Sequence, residues 1–293
     1  MIEGSIVAAI RARLTTALAP PRERMRPLRI DGHAVGWVDP QRAARLSAFG
    51  DVFRVDDQSI EFVPQLSDAP GRTRALDRVA RTLANEGALT AWRNERYAIA
   101  PDLGASPWFL LERAAARYFG VRTFAAHVNG LVDGAGTISM WFARRSPMKA
   151  IDPGMLDNLV GGGIADGQTV AGTVVKEAWE EAGIGAAVAA QAKLAGTVDI
   201  FRAQSDGLQR ETIFVHDLWL PPEFVPANQD GEAIEHRRVA LPDAARLIAI
   251  ERGTDAVTVD ASLVVLDCLL RHALIAAGGP DHAALSALRA GNA

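Results

Sequence analysis

The stretch from Gly162 to Ile184, GGIADGQTVAGTVVKEAWEEAGI, constrains what this chain can fold into more than any other. It places Glu177, Glu180 and Glu181 near the end of a short helix that a glycine-rich loop, Gly161-Gly162-Gly163, introduces and Gly183 closes. At about 100° per residue, the three carboxylates fall within an arc of roughly 100° on one helix face. Ala171, Val174, Val175, Ala178 and Ala182 form a separate apolar stripe, which marks the face turned to a core. Like charges at i and i+4, as in Glu177 and Glu181, cost a helix about 0.2–0.5 kcal/mol. A bound divalent cation is the expected compensation.

The rest of the chain sets the limits within which such a site works. Its 293 residues are long for one hydrophobic core, so two domains are expected. A net charge of −4 gives no basic surface of the kind nucleic acids require. The single cysteine, Cys268, excludes an internal disulfide and a cysteine-cage zinc site, and its apolar surroundings mark a buried structural thiol. This usage suits a reducing cytoplasm. The opening MIEGSIVAAIRARLTTALAP interrupts any export-type apolar run with Glu3, Arg11 and Arg13 and reads as an amphipathic helix ended by Pro20 and Pro21. The longest apolar run, 261–277, is broken by Asp267, Arg271 and His272 and is expected to be a packed helix, not a membrane span. A soluble cytoplasmic protein with neither nucleic acid nor membrane as partner is the expectation.

Residues 1–119 read as a small α+β domain. Strands are expected over 30–38, 51–55, 59–63 and 97–100, helices over 40–49 and 74–85, and an amphipathic helix from near Pro107 to Gly120. Residues 120–280 form the second domain. It opens on a hairpin, 121–132 and 137–143, joined through Asp133-Gly134-Ala135-Gly136. Strands follow over 194–201 and 211–220, and helices over 242–251 and 260–276. The small, polar residues 281–293 are expected to trail over the surface as a tail. Trp179, beside the apolar stripe, reads as core, and His127, His216, His236 and His272 as structural residues, since none has metal-pair spacing.

Gly162, Glu177, Glu180, Glu181, Gly183 and Ile184 stand at the spacing of the Nudix box, G-x5-E-x7-R-E-U-x-E-E-x-G-U with U aliphatic, and the chain resembles that superfamily. Two positions depart from the pattern: Gln168 replaces its glutamate and Lys176 its arginine, removing one negative charge and a planar guanidinium fork. Further stretches are similar to the thiamine-pyrophosphokinase-related Nudix branch. They are Ala143-Arg144-Arg145-Ser146, the segment 153–158, Asp230-Gly231-Glu232 and the helix around 263–267. That branch carries an extra N-terminal domain, and Trp92-Arg93-Asn94-Glu95 with Tyr97 looks like its signature. The resemblance implies an α/β/α sandwich with a mixed β-sheet, preceded by a small α+β N-terminal domain. It implies metal-dependent hydrolysis of a diphosphate linkage, with thiamine diphosphate or its damaged oxo-analogues, cleaved to the monophosphate, as the leading substrates.

The chemistry assigns roles. Glu177, Glu180 and Glu181 are the expected ligands of Mg2+ or Mn2+, one of them serving as base toward the attacking water. A further carboxylate, Glu232 or Glu235, completes the metal site or supplies the base. Gly162 and Gly163 offer backbone N–H groups to an anion. Lys176, Arg144 and Arg145 pair with phosphate oxygens, although strand alternation lets only one of the two arginines face the site. Trp92 and Tyr97 are candidate stacking partners for a heteroaromatic ring, although an aromatic near a strand is more often core. Two alternatives stay open: a Nudix pyrophosphatase acting on nucleoside diphosphate derivatives of the ADP-ribose type, and a catalytically weak ligand-binding module, motivated by Gln168 and Lys176. The partner is a small-molecule diphosphate, and a homodimer is compatible with the sequence.

Overall fold

The computed structural model describes residues 1–21, 23–134 and 136–290. Helix α1 (Gly4–Ala17) is followed by β1 (Arg26–Ile30), β2 (His33–Val38), α2 (Pro40–Leu46), β3 (Phe53–Val55), β4 (Ile60–Phe62) and α3 (Ala69–Asn85). A two-stranded ribbon, β5 (Arg96–Ile99) and β6 (Phe109–Glu112), and the short α4 (Ala116–Phe119) complete the first half. The first four strands form one sheet in the order β2-β1-β4-β3. The single strand expected over 30–38 is instead a hairpin, because Asp31 and Gly32 both adopt positive φ, 49° and 81°, and reverse the chain. Helix α3 starts earlier than expected, at Asp68, whose Oδ1 accepts the Gly71 N–H at 2.7 Å, with a proline in the first turn. The expected helix from Pro107 is corrected to strand β6. There Phe109 and Leu111 pair with Ile99 and Tyr97, and only the last turn before Gly120 is α-helical. Leu28, Leu46, Ile60, Leu76, Leu83, Phe109 and Phe119 fill the core of this unit.

The second half is built on β7 (Arg122–Gly134), β8 (Thr137–Arg145), β9 (Leu156–Asn158), β10 (Val160–Gly163), α5 (Val170–Ala182), α6 (Ala186–Ala189), β11 (Lys193–Gln204), β12 (Gly207–Trp219) and β13 (Ala233–Ala240). Three helices end the chain: α7 (Leu241–Ala249), α8 (Val259–Arg271) and α9 (Pro280–Leu288). The sheet runs β11-β12-β7-β8-β13, with β10 attached to β7 and β9 to β8. Among the described strands of this sheet only β7 and β12 pair in parallel, so the sheet is mixed. Side chains alternate along β7. Phe124, Ala126 and Val128 pack toward Val174, Ala178 and Ala182 of α5, while Ala125 and Leu131 face the layer of α1, α7, α8 and α9. This is the α/β/α sandwich with a separate N-terminal unit that the sequence led us to expect. Strand β13 was not foreseen; it is a charged edge strand, whose residues Glu235, Arg237 and Arg238 carry no clean apolar alternation. Ala135, in the turn expected between β7 and β8, lies outside the described residues.

Three expectations change. Helix α1 packs in the second core, not in that of the N-terminal unit: Val7, Ile10 and Leu14 are buried with α7 and α9, and Arg13 donates to the Ile248 carbonyl at 2.6 Å and to Ser262 Oγ at 2.9 Å. The expected tail contains α9, anchored by the fully buried Leu285 and by Arg289, which pairs with the buried Asp267 beside Arg271. Residues 291–293 of that tail lie outside the described residues. Trp179 is 53% exposed, since it sits about 100° around α5 from the buried Ala178. Cys268 is fully buried, and burial pushes its thiol pKa up to about 12. No helix among the described residues is long and apolar enough to cross a membrane.

Candidate active site

The glycine-rich segment ahead of the carboxylates is a strand, not a loop: Gly161, Gly162 and Gly163 pair with His127, Ala126 and Ala125 of β7. Both faces of β10 are occupied at contact distance. A Cβ on Gly162 would fall 2.4 Å from Glu177 Cδ, and one on Gly163 would fall 2.1 Å from the Tyr97 hydroxyl. These glycines therefore serve close approach, one of Glu177 and the other of the N-terminal domain. The exposed edge of β10 still works electrostatically, because the Gly161 N–H donates to Glu181 Oε2 at 2.8 Å.

Helix α5 begins where Thr169 Oγ1 accepts the Gly172 N–H at 3.0 Å and ends at Gly183, whose φ of 65° is the left-handed conformation that stops a helix. With Val174, Ala178 and Ala182 buried, Glu177 and Glu181 emerge at the border of the helix and reach around β10. Burial pushes the Glu177 carboxyl above the usual carboxylate range, against the opposing pull of Lys176. Glu181 is raised further: burial dominates, and the Asp157 and Glu177 charges add to it, while the Gly161 N–H works the other way. Lys176 Nζ bridges Glu177 Oε1 and Glu180 Oε2, each at 2.9 Å. Burial works against that ammonium, but its bonds to Glu180 and Glu177 outweigh it and keep its pKa above the ordinary lysine value.

This donor set fits a divalent cation. Glu177, Glu180 and Glu181 project from one helix, burial disfavours the ionised form of Glu177 and Glu181, and a cationic group already bridges Glu177 and Glu180. Among the described residues no three carboxylate, imidazole or thiol side chains stand close enough together to hold a metal ion as they are. Lys176 draws Glu177 and Glu180 to itself while Gly161 holds Glu181 back.

The carboxylates face a cleft of about 560 Å³ between the two domains. Glu177, Glu180, Lys176, Gly162, Gly163, Arg145 and Glu232 all line it, with Glu181 against Gly161 beside them. Arg145 donates to Asp157 Oδ2 at 2.7 Å on the cleft wall. Arg144 is not brought there. It turns to the opposite side of β8, where it bonds Glu235 at 2.5 Å, Asp255 at 3.0 Å and the Gly154 carbonyl at 3.2 Å, so Glu235 is held away as well. Trp92 is also outside the cleft: its Nε1 donates to Asn94 Oδ1 at 2.7 Å and Arg81 lies 5.2 Å over its ring. Glu232 faces the cleft with both oxygens engaged, one by Lys149 and the other by Arg93 at 3.3 Å. Sequence reasoning missed Arg93, Arg113, Lys149 and Asp157 as lining residues. Arg93 stood inside the stretch that holds Trp92, whereas Lys149 lies in a loop with no pattern to mark it. Replacing Arg144 by methionine is expected to cost about 1–3 kcal/mol in urea unfolding. In the same variant, kcat/KM should stay within about threefold; a larger kinetic effect would place Arg144 in the site.

With this geometry in view, the comparisons with known proteins are specific. Residues 122–258 match the NUDIX domain, and residues 4–123 match a domain of unknown function, DUF4743. Nudix hydrolase 24, chloroplastic, of Arabidopsis thaliana is 36% identical over 258 residues, covering 87% of this chain and 70% of that protein. Nudix hydrolase 20, chloroplastic, of the same plant is 36% identical over 259 residues, covering 85% and 68%. Among solved structures, a C. elegans Ap4A hydrolase binary complex aligns over 52% of this chain and 99% of that one, at 14% identity and a TM-score of 0.39. The sandwich, the cleft and the carboxylate helix define a hydrolase domain of the Nudix class. The chain belongs to the Nudix hydrolase family, as a pyrophosphohydrolase with an additional N-terminal domain.

Proposed function

We propose that this protein hydrolyses the diphosphate linkage of a small molecule with Mg2+ as cofactor, and that thiamine diphosphate and its oxidised analogues are the substrates, each released as a monophosphate. The observation that carries the reading is the meeting of the α5 carboxylates with a cleft whose opposite wall belongs to another domain. One wall concentrates negative charge suited to a metal. The other presents Arg93, Arg113 and Tyr97, with Arg113 positioned 5.8 Å over the tyrosine ring. A diphosphate joined to a ring needs this polarity, anion-binding cations next to a metal and a separate surface for the organic part.

Glu177, Glu180 and Glu181 would hold the magnesium, which when bound supplies Lewis-acid polarisation of the phosphoryl oxygens and of the attacking water. Arg145, fixed by Asp157, presents a rigid guanidinium to a phosphate oxygen. One of these three carboxylates would take the proton of the attacking water. The thiamine assignment draws on the sequence stretches that resemble that Nudix branch, two of which hold Arg145 and Glu232, residues that line the cleft. Incubation of the pure protein with thiamine diphosphate, its oxo-analogues, ADP-ribose and a dinucleotide, with Mg2+ or with chelator, tests it. Magnesium-dependent conversion of the thiamine compounds to monophosphates ahead of the nucleotides is expected. Untouched thiamine compounds beside hydrolysed ADP-ribose would replace the substrate assignment with the nucleotide one.

A further inference from the structure

We propose that Arg93 of the N-terminal domain and Lys149 of the β8–β9 loop form a phosphate-binding subsite spanning the cleft, and that Glu232 holds the two cations ready until a phosphoryl group of the substrate displaces it. The inference rests on the diphosphate-hydrolase reading and extends it to residues outside the α5 motif.

Three distant segments of the chain converge here. Glu232 Oε1 accepts from Arg93 at 3.3 Å, and its other oxygen accepts from Lys149. All three side chains line the same cleft as Glu177 and Glu180. The backbone of Glu232 is pinned on both sides: its carbonyl accepts the Ser146 N–H at 2.8 Å and its own N–H donates to Asp230 Oδ1 at 2.8 Å.

The loop that presents Arg93 is built at some conformational cost. Ala91 and Asn94, on either side of it, adopt left-handed φ of 59° and 55°, a conformation that is unfavourable for alanine and that asparagine tolerates. The Arg93 N–H is tied to the buried Glu112 at 3.0 Å, and Trp92 is clamped between Asn94 and Arg81. Trp92 is thus a positioning residue whose neighbour is aimed at the cleft. These contacts hold the Arg93 guanidinium at the domain boundary.

The exchange is electrostatically matched. A carboxylate offers one negative charge, whereas a phosphoryl group offers more charge and more acceptor oxygens to the guanidinium fork and the ammonium. Burial raises the Glu232 carboxyl, but Lys149 and then Arg93 outweigh burial and hold it below the usual carboxylate range. A carboxylate so satisfied is a poor general base and a good placeholder.

Calorimetric titration of the full chain, in Mg2+, with methylenediphosphonate as a non-hydrolysable diphosphate tests the subsite. Arg93→Ala and Lys149→Ala should each weaken binding by about tenfold or more, Arg93→Lys should recover part of the loss, and Glu232→Gln should tighten binding about threefold. Wild-type binding that both alanine variants retain within about twofold overturns the subsite and leaves the diphosphate reading intact. Weakening by Glu232→Gln to the level of Lys149→Ala overturns the placeholder role and returns Glu232 to the substrate or metal site. A wild-type chain that does not bind the probe overturns both this subsite and the reading beneath it.

Discussion

Glu181→Gln is expected to lower kcat by about a hundredfold or more, the usual effect of removing one preorganised charge from a site where transition-state charge develops. The amide keeps an acceptor for the Gly161 N–H, which the carboxylate receives at 2.8 Å, so the packing of α5 on β10 survives. What it loses is negative charge at the point where burial, and then Asp157 and Glu177, already disfavour ionisation. Stability should therefore move the opposite way from activity. A carboxyl whose folded pKa is raised contributes stability that is fully present below the unfolded carboxylate range and is lost as pH rises through the folded value. Near neutral pH, without metal, Glu181→Gln should melt higher than wild type, while at acid pH the two should converge. Loss of turnover together with loss of thermal stability would show that Glu181 is structural.

The second large effect is expected from Gly162→Ala. Its new Cβ would lie 2.4 Å from Cδ and 2.5 Å from Cγ of Glu177, well inside the roughly 3.5 Å of a normal carbon contact. Glu177 ends in a flexible side chain, so the clash is relieved by moving the carboxylate about 1 Å rather than by opening the sheet. Overpacking of this kind costs about 1–3 kcal/mol. Misplacing a reacting or ligand-holding group by about 1 Å costs about a hundredfold in rate. The combination of a modest urea midpoint shift and a near-complete loss of kcat is the expected signature. Activity within about threefold of wild type would mean that Glu177 does its work from another position.

The parts of this site that lie within one helix were legible because their information is local. Spacing alone places Glu177, Glu180, Glu181 and Gly183, and the apolar stripe states which way the helix faces. The parts built across the domain boundary were not legible. Tyr97 against Gly163, and Arg93 with Lys149 on Glu232, join segments far apart in the chain, and no periodicity encodes such a meeting. Arg144 and Arg145 show the limit clearly. Alternation says that they face opposite sides, but which side holds the cleft depends on the pairing of β8 with β9 and β13, where Arg144 stands opposite Leu156 and Glu235. A long apolar-polar mixture misled at Phe109 and Leu111, whose alternation belongs to a strand. At Leu285 composition hides the helix, since one fully buried leucine, with the half-buried Leu288 beside it, docks a segment otherwise rich in small and polar residues.

Mn2+ binding followed by electron paramagnetic resonance tests, without reference to any substrate, whether the α5 carboxylates hold a divalent metal in the interdomain cleft. Wild-type protein should bind Mn2+, and the variant carrying Glu177→Gln, Glu180→Gln and Glu181→Gln together should bind it at least about a hundredfold more weakly while keeping its circular dichroism. Equal Mn2+ affinity in the two proteins would contradict the assignment and place the metal elsewhere.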